Sequence, residues 1–469
     1  MFLDELLSLA EWGPRQLVTA VNARLSSQGR DRLRLDPTAA YPWVRRGFRP
    51  RPPIPDVVAA VLTARLGFPV TAGQLWPGRD AVGQPTQSAA EGLATLTHVD
   101  DLVQALNHLT FSAATPRSSI TEASGIDLTA VVLDQRHGAV FVARARAGHE
   151  QVLPEQVELI ATHVAALRRL DDRHGGGALS LRYVTAELRS VADLVEHANY
   201  GSDVGRQLLT IVADLAQLLG WLHFDSGRYG SAERYLLLSI GMCRALGAAD
   251  RAANAIGMLS YVSAFAGHGV QAVRIAQVAT AECGGAEPVL RARLLGRLAT
   301  AAAADGDLAL FRRQSEEAAT VLDEVRSDEA PSFLYYLAPA QLAAEAGQGL
   351  VVLAEHATAG RDRLLGEAIT TLRGAVATLA APGGDGGGGP AYPRSALLHT
   401  TFLARAHLLH GDLPEAVVVI RSGLDLLAQV QSPRVRSYLL ELRPALVRRS
   451  RTKLVREFLP DFDEALSHV

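Results

Sequence analysis

Lysine is almost missing from this chain: Lys453 is the single one in 469 residues, so arginine carries nearly all of the positive charge. Cysteine is as scarce, with Cys243 and Cys283 alone. Two thiols cannot build the disulfide framework of a small secreted scaffold, and a reducing cytoplasm is the expected compartment. They lie 40 residues apart, which suits equivalent buried sites in a repeat better than a bridge. No stretch reads as long and apolar enough to span a bilayer, and the N-terminal MFLDELLSLAEW is acidic where a secretory signal has a basic region. A membrane partner is therefore not expected. Aromatics make up 6% and charged residues 20%, against 48% hydrophobic, the balance of a globular protein too long for one core.

The net charge of -3 decides nothing about partners, but its distribution does. Residues 1–79 hold 11 Arg and 6 acidic residues, and Arg24–Arg51 alone holds eight Arg against Asp31 and Asp36. Such asymmetry fits an anionic partner at the N-terminus. A second reading stays open, because arginine replaces lysine throughout, as a GC-rich genome produces without functional meaning.

The second half is organised by one spacing: a small residue, a Gly seven later, and an Ala five after that. It reads Gly220, Gly227, Ala232; Ser260, Gly267, Ala272; and Ala404, Gly411, Ala416. Two degraded copies read Ala299, Gly306, Phe311 and Ala340, Gly347, Val352. The glycines at 227, 267, 306 and 347 recur at a period near 40 residues. A period of that size marks stacked helical hairpins, none of which buries its apolar face alone. The first small residue lets two helices approach, the Gly makes the turn, and the Ala keeps the second helix close. Phe311 and Val352 predict looser packing in their hairpins.

From Leu153 the periodicity is helical almost to the end, with predicted helices near 154–172, 179–198, 203–226, 229–246, 249–266, 269–282, 287–304, 308–325, 332–346, 351–380, 393–410, 413–429, 433–448 and 452–467. Residues 382–390, PGGDGGGGP, read as a flexible insertion, and 78–91 as a linker. Residues 92–151 are the least legible: DLVQALNHL looks helical, while LTAVVLDQRHGAVFVARA fits either a helix and an extended stretch or a hairpin around Gln135–Gly138.

Within residues 1–77, PRQLVTAVNAR places Leu17, Val18, Ala20 and Val21 on one helical face, with Gln16 and Asn22 outside. An Arg-rich stretch, Leu25–Leu35, follows. Asp36 then reads as an N-cap and Pro37 as the first residue of a helix over Thr38–Arg46, anchored by Trp43 and Val44 and ended by Gly47. Ile54–Leu66 is a clean amphipathic helix, with a short one over Thr71–Trp76.

The small–Gly–Ala spacing resembles the tetratricopeptide repeat, with a period of about 40 instead of about 34 residues. The N-terminal order of elements resembles the lambda-repressor-like (Xre-type) helix-turn-helix. DPTAAYPWVRRG, the following RPRPPIPDVVAAVLTARLGFPVTAGQLW, and LRRLDDRHGGG at 167–177 together resemble actinobacterial regulators that join such a domain to C-terminal tetratricopeptide-like helices. Pro42 inside the predicted recognition helix and the length of Leu25–Leu35 depart from the tight motif. The resemblance implies an all-α chain: a helix-turn-helix bundle over 1–77, the linker, a connecting region over 92–151, and a tetratricopeptide-like α-solenoid over 152–469. It implies a cytoplasmic, nucleoid-associated transcriptional regulator, a repressor rather than an activator, that is not an enzyme and needs no cofactor. Its partners would be double-stranded DNA, a second copy of the chain, and a small-molecule, peptide or protein effector. Thr38, Tyr41 and Arg45 would reach base edges, and Arg15, Gln16, Arg46, Arg49 and Arg51 phosphates. The alternative is a protein-interaction scaffold whose N-terminal domain no longer binds DNA, with Pro42 as the lesion.

Other constellations are weaker. His399, His407 and His410 share one predicted helix, but no cysteine or carboxylate set completes a metal site. Gly175–Gly177 follows a helix and so reads as a cap, not a phosphate loop. Asp171 and Asp172 beside His174 read as a solvated helix end. Trp221, Phe224, Tyr261, Tyr335 and Tyr336 fit either core positions or an effector groove.

Overall fold

In a computed structural model the described residues are 12–27, 30–46, 48, 50–51, 53–66, 98–113, 128–134, 145–283, 287–324, 330–382 and 392–467, with single positions at Leu3, Leu7, Ala10 and Leu75. The chain is all-α: among the described residues its extended structure is limited to isolated bridges between Arg146 and Tyr200 and between Gln151 and Asn199. Contacts divide it into Met1–Thr86 and Gln87–Val469.

The first unit holds helices α1 (Pro14–Ser27), α2 (Tyr41–Arg46) and α3 (Ile54–Leu66). Leu17, Val18, Val21 and Leu25 of α1 pack with Trp43 of α2 and with Val57, Val58 and Leu62 of α3. That row of apolar side chains is what holds a helix as short as α2 in place. The stretch read as a loop carries a 3-10 turn at Asp31–Leu33. Asn22 does not face outward as expected. It is half-buried, and its amide both donates to the Leu35 carbonyl at 3.0 Å and accepts from the Leu35 N–H at 2.8 Å, clamping the far end of the stretch to α1.

In the second unit, α4 (Val99–Ala113) and α5 (Leu128–Asp134) show that the described part of 92–134 is helical. The sequence left a hairpin around Gln135–Gly138 open, and those positions, like the linker and insertion positions 78–91 and 383–390, lie outside the described residues. The array follows as α6 (Pro154–His174), α7 (Ala178–His197), α8 (Ser202–Asp225), α9 (Tyr229–Ala245), α10 (Ala249–Phe265), α11 (Gly269–Glu282), α12 (Pro288–Asp305), α13 (Leu308–Asp323), α14 (Pro339–His356), α15 (Arg361–Leu379), α16 (Pro393–His410), α17 (Leu413–Leu427), α18 (Pro433–Val447) and α19 (Lys453–Ser467). Successive helices pack on one another as a helical-repeat solenoid. Contrary to the sequence reading, α8 is long and apolar enough to cross a membrane by length and composition; 72% of its apolar window is buried inside the protein, as a core helix.

The repeat glycines work as expected at four turns. Gly227, Gly267, Gly306 and Gly411 all have left-handed backbone, between +72° and +92° in φ. After each, the next N–H reaches back five residues, from Arg228 to the His223 carbonyl, His268 to Ser263, Asp307 to Ala302 and Asp412 to His407. This is the Schellman closure, which satisfies carbonyls a helix end would otherwise strand. The small residues also act as expected: a Cβ on Gly220 would stand 2.8 Å from Leu236 Cγ, and the Ser260 hydroxyl donates to the Ala272 carbonyl at 2.8 Å.

The fourth copy is misread. Gly347 lies inside α14, where an added Cβ would come within 2.6 Å of Leu372. The turn of that hairpin is at Gly360, with φ +70°. The predicted helices 332–346 and 351–380 are therefore displaced to 339–356 and 361–379, and Val352 lies on the first helix of its hairpin. Phe311 is buried, and its ring fills the space over Gly349 of α14. The glycine there takes up the bulk that the sequence read as a looser joint.

Candidate functional site

In the first unit, the predicted recognition helix is shorter than expected. Pro37–Ala40 form turns, with the Asp36 carbonyl accepting from Ala39 N–H and the Thr38 carbonyl from Tyr41 N–H, and regular helix begins at Tyr41. Thr38 thus precedes the helix. Asp36 therefore closes the turn ahead of the helix instead of capping the helix: its Oδ1 accepts from both the N–H and the hydroxyl of Thr38, which holds its carboxyl below the usual range. Pro42 is the second helical residue. The N–H it lacks would have had no partner in a first turn, so it breaks nothing there.

Arg15, Thr38 and Arg51 are exposed and Tyr41 is half-buried. Gln16 is exposed too, but its Oε1 accepts from the Gly13 N–H at 2.5 Å, so it caps α1. The side chains of Arg45 and Arg46, and all of Arg49, lie outside the described residues. Beyond the expected residues, Arg24, Arg30, Arg32 and Arg34 are exposed, and like Arg15 and Arg51 they have no ion-pair partner among the described residues. The two nearby acids are otherwise engaged, Asp36 by Thr38 and Asp31 by the Ser26 hydroxyl.

In the second unit, the array curls until its end meets its beginning. Gln431 N–H donates to the His174 carbonyl at 2.6 Å, Ser432 Oγ to Asp225 Oδ1 at 2.9 Å, and a Cβ on Gly175 would stand 2.9 Å from that of Ser432. Gly175 caps α6 as expected, with φ +87°. Asp171 is the main correction: it is not a solvated helix end but 2% exposed, paired through Oδ2 with Arg394 Nη1 at 3.0 Å. Arg394 also reaches Asp225 at 3.3 Å, and Tyr335 donates its hydroxyl to Asp172.

The helices α8, α12, α14, α16 and α18 thus surround a charged centre. Arg293 of α12 holds Glu345 of α14 with both terminal nitrogens, and Gln341 donates to the same carboxylate at 3.0 Å. Burial raises Glu345, but the Arg293 and Arg297 charges reverse this and leave it at about 2. Burial likewise pushes Asp171 up to about 7 against the pull of Arg394.

Two cavities open here. One, of about 80 Å³, is walled by Trp221, Tyr261, Tyr336, Arg297, Asp171 and His399. The other, of about 370 Å³, is walled by Phe224, Phe265, Gln348, Phe402, Arg405 and Tyr438, and Arg434 lines both. Of the predicted groove, Trp221, Tyr261 and Tyr336 face the first cavity and Phe224 the second. Tyr335 lines neither; it pairs edge-on with Tyr336. The arginines around Trp221 were not legible in the sequence. Arg297, Arg394 and Arg434 stand 5.7, 5.6 and 5.4 Å from its ring centre.

His399 is fully buried and burial depresses it to about 4, while His407 faces Asp412 at 3.4 Å. Among the described residues no group of three His, Cys, Asp or Glu could hold a metal ion. Cys243 and Cys283 are buried free thiols.

The fold defines the class, an all-α helical-repeat protein with a small helical unit ahead of the repeats. That unit is similar to a described family: residues 3–75 match the model of the SP15 N-terminal domain. No curated protein matches the chain.

Proposed function

We propose that the chain is a DNA-binding transcriptional regulator, a repressor, whose helical-repeat unit dimerises and senses an effector in the cytoplasm. The observation that supports this reading is the series of exposed arginines (15, 24, 30, 32, 34 and 51) that have no ion-pair partner among the described residues, in the segments before and after the short helix that begins at Tyr41. A cation left in water costs the fold little, yet it releases counterions when it meets a phosphate, so such a series is suited to a duplex backbone. In this reading Thr38, Tyr41 and Arg45 reach base edges and Arg15, Gln16, Arg46, Arg49 and Arg51 the backbone. One small unit gives modest affinity, and two copies on a two-fold site raise it. The repeat unit would set the spacing of the two copies, and an effector that binds one of its shapes better would shift the balance.

The test is binding of the full-length protein to its own promoter region over a series of salt concentrations. Saturable binding that weakens with salt, and that Arg45→Ala with Arg46→Ala abolishes, is expected. Absence of binding would leave the scaffold reading in its place.

A further inference from the structure

Every buried arginine in the centre of the repeat unit has a carboxylate except one. Arg293 has Glu345, Arg394 has Asp171 and Asp225, and Arg434 Nε lies 3.4 Å from Asp225. Arg297 follows Arg293 by one turn of α12 and is 4% exposed. Its Nη1 is shut off from solvent with no hydrogen-bond partner, and no carboxylate among the described residues lies within ion-pair distance. Glu345 is taken by Arg293 and Gln341. Among the described residues its guanidinium meets the faces of Tyr261, 4.1 Å away, and Trp221, and feels the Glu345 charge from beyond ion-pair distance. Such contacts offset only part of the cost of burying an unpaired cation.

Arg297 also lines the 80 Å³ cavity, whose wall is apolar at Leu218, Met258, Phe333 and Leu398 and polar at Gln217, Gln341, Glu345 and Ser395. We propose that this cavity binds a small organic carboxylate, its two oxygens on the Arg297 guanidinium and its apolar body against Met258, Phe333 and Leu398. One free guanidinium matches a single negative charge, and its planar fork matches a carboxylate. Inorganic phosphate would bring a second negative charge beside Glu345 and Asp172, which line the same cavity, and would leave Met258, Phe333 and Leu398 without an apolar contact. Asp171 lines the same cavity. Asp171 Oδ1 has no partner, and a carboxyl that keeps its proton near neutrality donates to a ligand oxygen instead of repelling it. That this carboxylate is the effector rests on the regulator reading above; that it binds does not.

The test is titration calorimetry and thermal unfolding of the full chain with butyrate, with neutral butyramide and with inorganic phosphate. Butyrate is expected to bind at one site per chain and to raise the melting temperature, and butyramide to bind about tenfold or more weakly. Arg297→Met should lose butyrate binding while its unliganded melting temperature stays level or rises, because it removes an unpaired charge. If Arg297→Met does not fold, Arg297→Lys should weaken butyrate about tenfold by losing the fork. Equal butyrate affinity in either variant, no saturable butyrate binding by the wild type, or tighter binding of phosphate than butyrate would each overturn the site. Butyrate binding in a chain that ignores its promoter would sink the regulator and leave the site standing; promoter binding in a chain that ignores butyrate would do the reverse.

Discussion

Arginine does opposite work in the two units of this protein. In the first, Arg15, Arg24, Arg30, Arg32, Arg34 and Arg51 stand in water without an ion-pair partner among the described residues. In the second, arginines tie helices together: Arg405 joins α16 to Glu355 of α14 at 2.7 Å and to Glu441 of α18 at 3.1 Å, and Arg443 grips Asp463 with two bonds of 2.7 Å. Composition alone, with one lysine in the chain, cannot tell a contact surface from a strut. What separates them is where the acids went. The repeat unit supplies a carboxylate beside nearly every inner arginine, whereas in the first unit the two local acids are spent on hydroxyl and amide donors. An arginine left unpaired in water is available to a partner, and one left unpaired in the interior, as Arg297 is, calls for a ligand.

The comparison breaks first at Glu345. Glu345→Ala would leave Arg293 buried without its partner beside an already unpaired Arg297. We expect a loss of about 3–5 kcal/mol, measured by urea unfolding. A loss below about 1 kcal/mol would mean the inner pairs are not struts. Next in size is Asn22→Ala in the first unit, where the leading bond is amide to backbone rather than charge to charge. It removes both bonds to Leu35 and leaves a half-buried N–H and carbonyl, so a loss of about 1–3 kcal/mol is expected in that unit's own transition.

Much of the fold was legible because local physics repeats along the array. A left-handed turn demands glycine, so Gly227, Gly267, Gly306 and Gly411 announce themselves. The same residue also serves where two helices nearly touch, and nothing local distinguishes the two uses; Gly347 was misread for that reason and Gly360 missed. Pairing across the closure was invisible. Arg394 meets Asp171 over 223 residues of chain, so the doublet Asp171–Asp172 looked like an ordinary solvated helix end. The aromatic set was half legible: helical spacing grouped Trp221 with Phe224, but only the closure of the array brings Arg297, Arg394 and Arg434 around them. In the first unit, propensity read Asp36 as an N-cap and began the helix at Thr38, three residues before Tyr41, because an isolated turn and a first helical turn share the same signals.

A finer test of the closure is its response to pH. Asp171 is raised from 3.8 to about 7, so the folded chain holds a proton there that the unfolded chain has released. The stability it contributes is full at the low end of that window and is lost as pH rises through about 7. His223 and His399 act the other way: lowered from 6.5 to about 4, they cost stability as pH falls through 6.5. Between pH 6.5 and 8 the histidines therefore oppose Asp171, and comparison with Asp171→Asn separates the two effects. The charged groups facing it are Arg394, Asp172, Asp225 and Arg434. Wild-type stability should fall by about 1 kcal/mol relative to Asp171→Asn across that interval. Parallel curves for the two proteins would show that the carboxyl is already ionised.

The smallest expected effect on the fold is also the one that sharpens the comparison most. Replacing Arg30, Arg32 and Arg34 together with Ala removes three exposed side chains that touch nothing charged, so stability should stay within about 0.5 kcal/mol. If they face phosphates, the slope of log affinity against log salt for promoter DNA should fall by about 0.9 for each one lost. Both readouts are needed, because each alone has a trivial explanation. Weaker binding with an unfolded first unit would say only that the unit was damaged. An unchanged fold with an unchanged slope would say that these arginines reflect composition and nothing more, and would remove the strongest support for a nucleic-acid partner. A falling slope on an intact fold is the outcome that only a contact surface produces.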